Sequence, residues 1–85
     1  MSKKRKLLEK VLSGSKNIQF NELVILVEAF GFYLSRVNSS HHIFTHPDIS
    51  ELVNLQNQKG EAVPYQVRQF VILVEEYALT LEDEG

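Results

Sequence analysis

The chain has 85 residues, of which 44% are hydrophobic and 24% charged, a balance that fits one folded domain and excludes a disordered or fibrous chain. It contains no cysteine, which removes disulfides, thiolate zinc sites, iron-sulfur clusters and cysteine nucleophiles together. The net charge of −2 hides an asymmetry: residues 1–74 carry nine Lys and Arg against six Asp and Glu, while Glu75, Glu76, Glu82, Asp83 and Glu84 concentrate acidity at the end, so the body permits phosphate binding without demanding it.

The positive run at Lys3-Lys4-Arg5-Lys6 is followed only by short apolar pieces broken by Glu9 and Lys10, so no secretory leader is expected. No stretch approaches the roughly 20 apolar residues of a membrane span. These features suit a soluble protein of the reducing cytoplasm.

Ser2 can cap a first helix over residues 3–13, in which Leu7, Leu8, Val11 and Leu12 form an apolar stripe opposite Lys4, Lys6 and Lys10, and Ser13-Gly14-Ser15 stops it. A second helix is expected to start with Phe20 at N′ and Asn21 as N-cap, Phe20 stapling onto Ile25, and to end where Gly31 supplies a left-handed C′ residue. Period-two patterning then predicts a strand over 32–37, a polar turn at Asn38-Ser39-Ser40 and a return strand over 41–46. Pro47-Asp48 ends that strand, and a third is expected over 51–56, with Val53 and Leu55 on one face. After the turn ending at Gly60, Pro64 opens a helix lined on one side by Val67, Phe70, Val71, Val74 and Tyr77, and the chain from Leu79 onward reads as loose. The order predicts an α+β fold: a three-stranded antiparallel sheet with two helices on one face, preceded by an extra N-terminal helix. It divides into a helical arm over 1–19, a core over 20–79 and an acidic tail over 80–85.

All histidines lie in one predicted strand, at His41, His42 and His46. Strand alternation puts His42, Phe44 and His46 on one face and His41, Ile43 and Thr45 on the other. Phe44 belongs under the helices, which leaves His41 on the open face beside the Ser39-Ser40 turn. His42 and His46 read as surface or packing residues rather than catalysts. A metal site is disfavoured, because His41 and His42 point to opposite faces and no carboxylate stands at a fixed spacing. No Gly-rich phosphate loop, nucleophile elbow or catalytic carboxylate pair is present.

The element order, together with Gly31-Phe32-Tyr33-Leu34-Ser35-Arg36, Ser39-Ser40-His41-His42-Ile43-Phe44, His46-Pro47-Asp48 and the helix from Pro64 to Tyr77, resembles the HicA family of bacterial toxin-antitoxin ribonucleases over about residues 20–79. The resemblance implies a fold like the double-stranded-RNA-binding domain and a Gly-Ser-His-His type motif whose first histidine, here His41, is catalytic. The family's glycine is Ser39 in this chain, a departure that matters if the position needs a positive φ. The resemblance further implies an mRNA substrate, no cofactor, and a HicB-like antitoxin partner covering the active surface.

One histidine suffices for metal-free RNA cleavage in outline, since a neutral imidazole can take the proton of the ribose 2′-hydroxyl, a nucleophile that DNA lacks. Arg36, the Ser40 hydroxyl and Lys59 are candidates to hold the phosphate. Lys3, Lys4, Arg5 and Lys6 on the first helix either contact RNA or antitoxin, or belong to an arm that only packs. A non-catalytic RNA-binding module and a protein-interaction domain remain the alternative readings, because fold alone does not separate them.

Overall fold

The computed structural model describes residues 3–14 and 16–81. The cap expected at Ser2, Ser15 of the helix stop and all but the start of the acidic tail lie outside the described residues. The elements run α1 (Lys3–Leu12), α2 (Phe20–Ala29), β1 (Tyr33–Asn38), β2 (His41–His46), β3 (Ile49–Gln56) and α3 (Pro64–Glu76). The strands form one antiparallel sheet in the order β1-β2-β3, so this is the expected α+β meander with a preceding helix.

The helices pack on one side of β2 and β3. Phe44, Val53 and Leu55 from the sheet meet Leu23, Leu26 and Val27 of α2 and Val67 and Phe70 of α3 in one buried cluster, with Leu7 and Val11 added from α1. Each such side chain, removed from water, contributes about 1.5–3 kcal/mol before conformational entropy opposes it. The ring of Phe70 sits edge-on to both Phe30 and Phe32, at centroid distances of 5.6 and 5.9 Å. Such tilted arrangements suit the aromatic quadrupole.

Helix α2 starts two residues ahead of the frame expected from Asn21. Its N-cap is Gln19, with Phe20 already helical, because the chain from Ile18 to Phe20 is bonded sideways to the 60–62 segment: the Phe20 N–H donates to the Gly60 carbonyl at 2.9 Å and the Ala62 N–H to the Ile18 carbonyl at 2.9 Å. Glu22 at N3 accepts the Gln19 N–H at 3.0 Å, the back-bonding half of a capping box. Ile18 thereby takes the N′ place and Leu23 the N4 place, both buried, where Phe20 and Ile25 were expected. Lys10 of α1 reaches the same Glu22 carboxylate at 3.3 Å. The Gln19 N–H above all holds the Glu22 carboxyl below its usual value, against the opposing effect of burial and with further help from the Lys10 ammonium.

Both longer-range helix ends close in the same way. In α2, Gly31 N–H reaches the Glu28 carbonyl at 3.0 Å and Phe32 N–H the Val27 carbonyl at 3.4 Å, with Gly31 at φ 98°, a Schellman ending. In α3, Ala78 N–H reaches Glu75 O at 3.3 Å and Leu79 N–H reaches Val74 O at 3.0 Å, but here the left-handed residue is Ala78, at φ 51°. The segment expected to be loose is therefore turned back onto the core, where Leu79 and Leu81 pack. They line a groove with Leu8 and Leu12 of α1 and Val71 and Val74 of α3. Leu12 stays 57% exposed on its rim, so the stripe of α1 is narrower than its sequence suggests. Tyr77, expected to end the apolar side of α3, is the C-cap of that helix, lies at the surface and donates its hydroxyl to the Glu51 carboxylate of β3.

β1 is an edge strand whose every residue is exposed, because the helical layer spans only β2 and β3. Its pairing with β2 shifts between Leu34 and Arg36, a bulge at Ser35 that adds twist. Phe32, expected to open the strand, is instead a buried residue of the connection, and β3 begins at Ile49, earlier than expected.

Candidate functional site

Strand register fixes what surrounds His41. On the β1 side it faces Asn38, and Arg36 faces Ile43; on the β3 side His41 faces Gln56 and Ile43 faces Asn54. Arg36, Asn38, His41, Ile43, Asn54 and Gln56 therefore share the face that no helix covers. Diagonal neighbours on paired strands lie within reach of long side chains. His41 uses this: its Nδ1 lies 3.2 Å from Asn54 Oδ1, so the ring donates to the amide oxygen. The histidine is half-buried by these neighbours rather than fully open.

The other histidines turn toward the helices, as alternation requires. His42 stacks on Phe20 at a centroid distance of 4.8 Å, and its Nδ1 donates to the Ser40 carbonyl at 3.3 Å. His46 has both ring nitrogens engaged: Nε2 with the Phe30 carbonyl at 3.1 Å, and Nδ1 accepting the Asp48 N–H at 3.0 Å. Both are packing residues in this geometry.

The turn before His41 confirms the conformational demand at Ser39. Its φ is 60°, a left-handed value at the first loop residue of a two-residue hairpin, where glycine is the unstrained choice. Ser40, half-buried, follows it, and its carbonyl also accepts the Asn57 N–H at 3.0 Å, which ties the hairpin to the end of β3. Lys59 stands two residues beyond Asn57 in a tight turn, with φ 55° followed by Gly60 at φ 88°. The reciprocal bonds of Gln58 and Glu61, both 3.0 Å, close that turn.

Arg36, Ser40 and His41 are thus brought together at one end of the sheet, with Lys59 on the adjoining turn. Lys3, Lys4, Arg5 and Lys6 are not part of that group. They lie on α1, which packs with α2 and α3 in the layer opposite the open face. Asn54 was not anticipated as a site residue, although the alternation that buries Val53 and Leu55 already turns it outward beside His41. Among the described residues no group of three His, Cys, Asp or Glu side chains is placed to hold a metal ion, and no helix is long and apolar enough to cross a membrane.

The fold and site define an α+β domain with one uncovered sheet face, on which a histidine follows a tight hairpin turn. Residues 20–74 match the HicA toxin of bacterial toxin-antitoxin systems, and the chain belongs to that family. No curated protein and no solved structure gives a significant match.

Proposed function

We propose that this chain is a toxin that acts as a metal-independent endoribonuclease on mRNA, with His41 as general base. The observation that carries the reading is the position of His41: it lies inside the family match, on the uncovered face of the sheet, with Nε2 free of any partner among the described residues. In the proposed step, the neutral imidazole takes the proton of a ribose 2′-hydroxyl through Nε2. The 2′-oxygen then attacks the adjacent phosphorus, the bond to the 5′-oxygen breaks, and that oxygen takes up a proton. The products are a 2′,3′-cyclic phosphate and a 5′-hydroxyl end.

Arg36 and Lys59 supply positive charge near that phosphate, and the Ser40 hydroxyl a neutral donor. The basic residues of α1 lie too far around the molecule to share the reacting phosphate and would serve only a distant stretch of RNA or a partner. A HicB-like antitoxin that covers the face bearing His41 would exclude RNA, and the cytoplasm is where such a pair would meet its substrate. In domain terms, residues 20–79 form the functional unit, preceded by the segment 1–19 that carries α1 and followed by the acidic segment 80–85.

The test is incubation of the purified chain with a long unstructured RNA in EDTA, beside the His41→Ala variant and a DNA of the same sequence. Cleavage of RNA alone, leaving cyclic phosphate ends, supports the reading. Cleavage abolished by EDTA, or an unchanged rate in His41→Ala, sinks it, and uncut RNA that shifts in a salt-dependent way points to a binding module instead.

A further inference from the structure

We infer that Asn54 is a positioning residue for His41, holding its imidazole in the tautomer that leaves Nε2 as the base. The inference rests on the reading of His41 as the base. A neutral imidazole carries one N–H, and the group bonded to one ring nitrogen decides which nitrogen keeps the proton. In water the Nε2–H form of histidine predominates, which would point a proton, not a lone pair, at the substrate. Asn54 Oδ1, 3.2 Å from His41 Nδ1, is an acceptor only, so this contact is a hydrogen bond when the proton sits on Nδ1.

The sheet fixes the two backbone positions from which this contact is made. Asn54 is flanked in β3 by the buried anchors Val53 and Leu55, and His41 in β2 lies three residues before the buried Phe44. The bond spans the two strands on the diagonal, since Asn54 pairs with Ile43 and His41 with Gln56. His46 provides the internal contrast: its Nδ1 accepts from Asp48 N–H, so its proton sits on Nε2. Two histidines of one strand thus hold opposite tautomers, each dictated by its partner.

Among the described residues, the charged or titratable groups on the His41 face are Arg36 and Tyr33 of β1, with Lys59 on the adjoining turn, whereas the β3 residues beside the ring, Asn54 and Gln56, are uncharged. Asn54 therefore acts through hydrogen bonding and not through charge.

The test reads the ring directly, by long-range proton–nitrogen NMR of the full chain at a pH where the imidazoles are neutral. His41 is expected as the Nδ1–H tautomer and His46 as Nε2–H. In Asn54→Ala, which alters an exposed side chain, His41 should revert to mainly Nε2–H while His46 is unchanged. RNA cleavage by that variant should lose roughly 10-fold or more in kcat with little change in KM, as for other groups that orient a catalytic imidazole. Asn54→Asp restores an acceptor and should recover the Nδ1–H form. Its added carboxylate should also move the acidic limb of the pH–rate profile upward. An Nε2–H signal for His41 in the wild type, or unchanged tautomer and kcat in Asn54→Ala, overturns the inference. Failure of the wild type to cut RNA would overturn the proposed activity while leaving the tautomer result standing, so the two can fail separately.

Discussion

His46 clasps the end of α2: its Nε2 lies 3.1 Å from the Phe30 carbonyl, and a methyl group built on Gly31 would come within 2.9 Å of that same nitrogen. The helix terminus and the turn after β2 are thereby locked by one imidazole, whose other nitrogen takes the Asp48 N–H. Gly31 is required twice over, for its φ of 98° and for the space the ring occupies.

Gly31→Ala should accordingly lower stability by about 2 kcal/mol or more, since a left-handed non-glycine residue costs about 1–2 kcal/mol and the clasp must also move. Denaturant unfolding followed by circular dichroism would check this, and a loss under half that size would mean the ring adjusts freely. His46→Ala should cost about 1–3 kcal/mol by stripping the Phe30 carbonyl and the Asp48 N–H of their partner.

Ser39 and Ala78 hold left-handed conformations without being glycine, at φ 60° and 51°. Ser39→Gly and Ala78→Gly should each raise stability by up to about 1 kcal/mol, the relief of strain being partly offset by the freer unfolded chain. Because the sites are far apart in the sequence and share no hydrogen bond, the double variant should show nearly additive gains. Lowered melting temperatures for both single variants would contradict the strain argument.

His41→Ala and His42→Ala should separate activity from folding. The first removes a side chain on the open face and should change stability by only about 0.5 kcal/mol, while RNA cleavage drops roughly 100-fold or more. The second removes a ring stacked on Phe20 and should destabilise the fold instead. Matching losses of activity and stability in both variants would show that the two rings are not divided in this way.

Glu22 gives the fold a pH dependence whose sign follows from its lowered carboxyl value. The stabilisation is fully present above the ordinary glutamate value, near about 4.3, and is lost as pH falls through the lower folded-state value. Protonation weakens both the back-bond to Gln19 and the pairing with Lys10. In Glu22→Gln, the decline in stability between about pH 5 and 3 should be shallower than in the wild type. Parallel urea titrations across that interval would show it, and identical slopes would mean that the cap contributes nothing that titrates.

Much of this architecture is legible in the residues. Gly31, Pro64 and the alternation around Phe44, Val53 and Leu55 point to the sheet and its two covering helices because each reflects a local constraint. What stays hidden depends on contacts distant in sequence. Asn21 is a good cap by propensity, yet the bonds from Gly60 and Ala62 to the chain around Gln19 set the helix start two residues earlier. Leu79 and Leu81 look like a frayed end until Ala78 turns them back onto the core. Asn54 carries no signature of its own in a β strand, and its meaning appears only when register sets it diagonal to His41.

The two strands flanking β2 leave that strand alone with hydrogen-bonded neighbours on both sides, whereas β1 turns one backbone edge outward. In deuterated solvent the amides of β2 should therefore be among the last of the sheet to exchange and the outward-facing amides of β1 among the first. The backbone that presents His41 should then open less readily than its border. A change in β1 exchange on mixing with another molecule would register contact at the sheet margin without any label on the histidine itself.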